Sequence, residues 1–187
     1  MQRIAGKSVG DIFKSIDKNN DNAIDKNEVG QMSDRLKVDS LAKGKVSDQF
    51  FDNFDSNKDG KIKWDEFTSK AATLIPKEAK DRHGNIDTDK MEKTINDTIK
   101  DVDSNRDGSL SAKEIYAKVH AENAPTGLNR LNPIAHKTAE VTADTAAKLS
   151  TGLLDANGDG KLSKDEIMTT AKSAVEELNK ANNAPNS

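Results

Sequence analysis

Four stretches of twelve residues carry the groups in this chain best suited to chemistry. They are DKNNDNAIDKNE from Asp17 to Glu28, DSNKDGKIKWDE from Asp55 to Glu66, DSNRDGSLSAKE from Asp103 to Glu114 and DANGDGKLSKDE from Asp155 to Glu166. They align without gaps. Each has Asp, Asn and Asp at its first, third and fifth positions, a branched aliphatic residue at the eighth and Glu at the twelfth. Short oxygen-bearing side chains at alternate positions of a tight turn converge from one side, and a longer Glu reaches back to close the set. Oxygen donors alone suit a hard cation, and calcium takes six to eight of them at about 2.3–2.6 Å.

The candidate ligands follow loop by loop. The first offers Asp17, Asn19, Asp21, the carbonyl of Ala23, Asp25 and Glu28; the second Asp55, Asn57, Asp59, the carbonyl of Lys61 and Glu66. The third offers Asp103, Asn105, Asp107, the carbonyl of Ser109 and Glu114; the fourth Asp155, Asn157, Asp159, the carbonyl of Lys161 and Glu166. Only the main chain is needed at the seventh position, so its side chain is free to vary. The sixth position needs a left-handed backbone, which Gly60, Gly108 and Gly160 adopt without strain. Asn22 in the first loop is the next most tolerant choice. At the ninth, Asp25 can bind directly or through water, Ser111 and Ser163 through water, and Lys63 not at all.

Such loops need helices on both sides, and the flanks supply the pattern. Apolar residues spaced by three and four precede each loop: Ile12, Phe13 and Ile16; Phe50, Phe51 and Phe54; Ile95, Ile99 and Val102; Leu149, Leu153 and Leu154. Others follow: Val29, Met32 and Leu36; Phe67, Ala71 and Leu74; Ile115 and Val119; Ile167, Ala171, Val175 and Leu178. That spacing gives one apolar face per helix. The eighth positions match in pairs, Ile24 with Ile62 and Leu110 with Leu162, so the first loop should face the second and the third the fourth.

These residues identify the chain as similar to four-site EF-hand calcium-binding proteins, in particular the sarcoplasmic calcium-binding and calerythrin types. The resemblance covers the loops and their flanking helices. It implies an all-α EF-hand fold of two helix-loop-helix pairs, with two-residue β-bridges between paired loops, and up to four bound Ca2+. Lanmodulin-like lanthanide proteins favour Pro at the second loop position; Lys18, Ser56, Ser104 and Ala156 stand there, which favours calcium.

The loops start 38, 48 and 52 residues apart. A linker from Pro76 to Asp87 divides the chain into a first EF-hand pair, residues 1–76, and a second, residues 77–187. The second carries an insertion at about 121–136, followed by a helix from about Ala135 to Leu154. Leu128, Leu131 and Ile134 of the insertion are expected to fill the groove of the second pair from within. A self-occupied groove cannot recruit a target, so a calcium buffer or calcium-dependent folding switch is the leading expectation. A calcium sensor that recruits a protein target is the alternative, with Met32, Met91 and Met168 the methionines available to its groove.

Composition narrows the rest. The 187 residues are 33% apolar and 33% charged, with 29 basic against 32 acidic side chains and no cysteine. Disulfides and thiolate sites are therefore excluded. A net charge of -3 argues against nucleic acid as a partner. Neither a membrane anchor nor a leader is visible, so a cytoplasmic monomer is the expectation. His83, His120 and His136 stand apart, without a triad or zinc spacing, and catalysis is not expected. Thirteen acidic residues sit at the loop positions, leaving 19 against 29 bases elsewhere, and four calcium ions would carry the charge from -3 to +5. All the aromatic rings except Tyr116 lie in the first half. The second half, with the leaner core, should therefore lean harder on metal to fold.

Overall fold

The structure is a computed structural model, which describes residues 6–73, Ala79 and residues 86–183. The expected linker and boundary at 76/77 lie largely outside these residues, as do Leu74 and His83. Along the chain run α1 (Val9–Ile16), β1 (Ala23–Ile24), α2 (Lys26–Arg35), α3 (Ser40–Phe54), β2 (Ile62–Lys63) and α4 (Trp64–Thr73). After them come α5 (Thr88–Val102), β3 (Ser109–Ser111), α6 (Ala112–Glu122), a 3-10 turn (Gly127–Leu131), α7 (Pro133–Leu154), β4 (Lys161–Ser163) and α8 (Lys164–Asn183).

Loop residues themselves stop and start these helices. Each first-position aspartate closes the helix before it: the N–H groups of Asp17, Asp55, Asp103 and Asp155 donate to Phe13, Phe51, Ile99 and Thr151. At the ninth position, Asp25 and Ser111 cap α2 and α6, each in a reciprocal arrangement with the Glu three residues on. A cap of this kind is worth about 1 kcal/mol. Lys63 has no acceptor to offer α4 and turns its ammonium elsewhere. Asn132 caps α7, with Pro133 as its first residue.

The loops pair as their eighth positions foretell. Antiparallel β1 and β2 set Ile24 against Ile62, and β3 and β4 set Leu110 against Leu162. The first bridge has two residues per strand and the second has three, from Ser109 to Ser111 and from Lys161 to Ser163.

One apolar cluster joins both halves of the chain. Ile12, Phe13, Ile16, Val29, Met32, Phe51 and Phe67 share it with Met91, Met168 and Ala174. Rings extend it, with Phe13 edge-on to Trp64 at 5.2 Å and to Phe67 at 5.3 Å, and Phe54 stacked on Phe67 at 5.2 Å. All three candidate groove methionines are buried here, so none lines an open groove. A second cluster sets Val38, Ala42 and Val46 of the first half against Val141 and Leu149 of α7.

The N-terminal segment is sewn to α8. Val9 N–H donates to Ser173 Oγ at 2.8 Å, and Thr170 Oγ1 donates to the Lys7 carbonyl at 2.6 Å. Gly6 lies so close to Glu166 that a β-carbon would sit 2.5 Å from the Glu166 Cα and 2.7 Å from its carbonyl oxygen. Backbone cannot swing aside as a side chain can. Gly6→Ala is therefore expected to destabilise the fold by about 1–3 kcal/mol, read as a lower urea midpoint; an unchanged midpoint would show that this contact yields freely.

The insertion departs from expectation. Leu128 is 99% exposed, Leu131 93% and Ile134 75%, so they do not fill the groove of the second pair. The physical reason is α7, whose cap at Asn132 and Pro133 starts the helix immediately and leaves the preceding turn on the outside. Ile134 instead lines an apolar groove of about 710 Å³ between α3 and α7, together with Leu41, Phe50 and Val141. Leu41, too, is mostly exposed.

Candidate metal centres

Each loop folds on the same scaffold of backbone N–H groups donating to its acids. The first aspartate accepts from the sixth-position N–H through Oδ2: Asn22 at 3.1 Å, Gly60 at 2.9 Å, Gly108 at 2.8 Å and Gly160 at 2.8 Å. The third-position asparagine Oδ1 accepts from the fifth residue, and the fifth aspartate Oδ1 from the seventh, in every loop. These bonds turn the chain around its own carboxylates. Sixth-position φ is 62° at Asn22 and 79° to 82° at the three glycines.

The twelfth-position glutamates are enclosed charges. Glu28, Glu66, Glu114 and Glu166 are all buried, Glu166 to 2% exposure. In each, Oε1 accepts from the second and third N–H groups of its loop and Oε2 from the ninth; for Glu166 these lie at 2.8, 3.3 and 2.9 Å. The corresponding bonds to Glu28, Glu66 and Glu114 are all present. Ser111 and Ser163 add hydroxyl donors to the carboxylates of Glu114 and Glu166 at 2.7 and 2.8 Å. The Ser111 backbone N–H, more than any other group, holds the Glu114 carboxyl down at about 2. Burial pushes the Glu166 carboxyl up, but the donors of Ser163, Ala156 and Asn157 outweigh it and leave it lowered. Both are ionised at neutral pH.

The structure thus brings the candidate ligands of each loop around one turn, with the glutamate at its back. Among the described residues, however, no three acidic or histidine side chains close on a single point. Any cation here would draw on asparagine amides and the seventh-position carbonyl as well as carboxylates. The donor set is oxygen throughout and fits calcium better than a softer metal. The first loop adds a sharper sign: Asp17 is 4% exposed, and its Oδ1 is buried with no hydrogen-bond partner. A buried carboxylate oxygen without a donor is costly unless a cation meets it. The fourth loop is drawn inward differently, with Asp155 Oδ1 accepting from Gly158 N–H at 2.7 Å and Asn157 Nδ2 donating to Asp159 Oδ2 at 3.1 Å.

Two features escape the sequence reading. The fourth loop position is also left-handed, at Asn20, Lys58, Arg106 and Gly158, and only the Asn and Gly hint at it. Lysines also reach the fifth-position aspartates: Lys61 Nζ meets Asp21 Oδ2 at 3.1 Å, Lys63 meets Asp59 at 2.8 Å and Lys161 meets Asp107 at 2.6 Å. Each hydrogen bond lowers the pKa of the aspartate that it reaches.

A model of the EF-hand domain pair matches residues 7–72, and an EF-hand model matches residues 95–119 and 152–169. The chain is an EF-hand protein. All four loops fall wholly within the matched segments, so the calcium chemistry of the loops stands with the family. No curated protein sequence matches this EF-hand protein. Among solved structures it is similar to a Streptomyces coelicolor calcium-binding protein, described as a structural basis for prokaryotic calcium-mediated regulation. The two are 16% identical over 89% of this chain and 95% of that one, with a TM-score of 0.30. So loose a superposition carries no weight for function. Among the described residues no helix is long and apolar enough to cross a membrane.

Proposed function

We propose that this EF-hand protein binds up to four calcium ions, through the loop residues named above, and that binding completes its folding: it is a calcium-dependent folding switch. The observation that carries this is the buried Asp17 Oδ1 without a donor, together with one buried glutamate in each of the four loops. Apposed carboxylates repel one another, and a divalent ion replaces that repulsion with attraction. When bound, calcium supplies charge neutralisation and a rigid coordination shell. The chain's own part is to hold the carboxylates by backbone N–H groups and to join the loops by the two β-bridges.

A second reading, the calcium sensor, is favoured by the open groove between α3 and α7 and by the exposed Leu41, Leu128, Leu131 and Ile134. Of these, Leu41 and Ile134 line the groove, and an exposed apolar patch is the usual mark of a recognition surface. Trp64, tenth in the second loop and edge-on to Phe13, is positioned to report calcium by fluorescence. Titrated alongside a hydrophobic dye, a calcium-dependent Trp64 change with suppressed dye binding is the expected result for a folding switch. Enhanced dye binding would transfer the role to the sensor. Equilibrium dialysis that recovers no stoichiometric calcium would end both readings.

A further inference from the structure

The seventh loop position contributes its backbone carbonyl to its own site, which leaves its side chain without a task. In both pairs the second loop uses that freedom in the same way. The Lys61 ammonium crosses from the second loop to Asp21 Oδ2 of the first at 3.1 Å, and the Lys161 ammonium crosses from the fourth to Asp107 Oδ2 of the third at 2.6 Å. The first and third loops have Ala23 and Ser109 at their own seventh positions, too short to return the contact. The arrangement is therefore one-way, and it occurs twice at equivalent places in the two β-bridged pairs.

Resting on the calcium reading, we propose that Lys61 and Lys161 are coupling residues, each serving one site with its carbonyl and occupying a ligand of the neighbouring site with its ammonium. A doubly charged ion that enters the first or third loop meets this tethered positive charge and must displace it from Asp21 or Asp107. The lysines thus hold down the affinity of those two loops. They also keep the neighbouring aspartate charge-balanced until metal arrives. In the second loop Lys63 does the same to Asp59 from within the loop, at 2.8 Å. In the fourth loop, among the described residues, no lysine hydrogen-bonds the fifth-position aspartate: Asp159 Oδ2 takes the Asn157 amide instead, and Lys161 acts on it only at longer range.

The test is a set of calcium titrations of the full chain at low salt, followed by calorimetry and by amide shifts of the sixth-position residues Asn22, Gly60, Gly108 and Gly160. Lys61→Met keeps the carbonyl and the apolar stem while removing the charge, and so does Lys161→Met. Lys61→Met should tighten binding at the first loop about five- to tenfold, and Lys161→Met at the third, with the gain shrinking as salt is raised. Lys63→Met should tighten only the second. Lys100→Met on α5 controls for net charge, and Lys→Arg variants should restore the original affinities. Unchanged site-resolved affinities, or an equal gain at all four loops, would overturn the proposal while leaving the calcium reading intact. Failure of the unaltered chain to bind calcium would overturn both.

Discussion

Glu166→Gln should destabilise the protein even before calcium is added. The Glu166 carboxylate, 2% exposed, accepts from the backbone of Ala156, Asn157 and Ser163 and from the Ser163 hydroxyl. An amide keeps one acceptor oxygen and turns an NH2 toward donors. Hydrogen bonds to a charged group are worth about 1.5–3 kcal/mol each, so a loss of about 3 kcal/mol is expected. Calcium binding at the fourth loop should weaken by roughly a hundredfold or more, since the same residue is the proposed closing ligand there. Calorimetry should then count one fewer ion than in the unaltered chain, and the urea midpoint should fall. An undiminished ion count would remove Glu166 from the ligand set; an unchanged midpoint would show that its N–H donors find water as readily.

Ile62→Ala should weaken any coupling of the first loop to the second through the bridge that joins them. Ile62 and Ile24 face one another across the first bridge, both wholly buried and continuous with Val29 and Phe67 in the shared apolar cluster. Truncation removes three carbons from a site walled by backbone on the strand side, where collapse is difficult. The expected cost is about 2–5 kcal/mol. Unlike a cavity elsewhere in the core, this one lies on the short path between the first and second loops. The Trp64 calcium titration should therefore become less steep as well as shift. Ala71→Gly, which trims the margin of the same core away from the bridge, should lower stability without that loss of steepness. Equal steepness in both variants would show that the bridge holds the loops together without coupling them.

Much of this was legible because an EF-hand loop spells its chemistry in adjacent letters. Asp, Asn, Asp and Glu at fixed offsets leave little freedom of interpretation, and the matched pairs Ile24–Ile62 and Leu110–Leu162 disclosed the strand pairing. What stayed hidden depends on contacts between distant residues. Spacing alone could not tell whether Leu128, Leu131 and Ile134 face inward, because three-residue periodicity states only that they share a side. Asn132 and Pro133 were the available clue, since a capped helix start fixes where the turn before it must lie. Similarly, nothing in the sequence marked Lys61 and Lys161 as reaching across to the neighbouring loop, because a variable seventh position looks like indifference. The burial of Met32, Met91 and Met168 depends on how the halves meet, which no local pattern encodes.

The stitching of Lys7 and Val9 to Thr170 and Ser173 sets an order of events during synthesis. Partners separated by 163 and 164 residues cannot meet until the chain as far as Ser173 has left the ribosome. Contacts of such long reach are slow to form, because a very large loop must close first. Helix α1 must therefore wait, its apolar face only partly covered, until α8 emerges to receive it. A nascent chain stalled before α8 is the form most exposed to unwanted association.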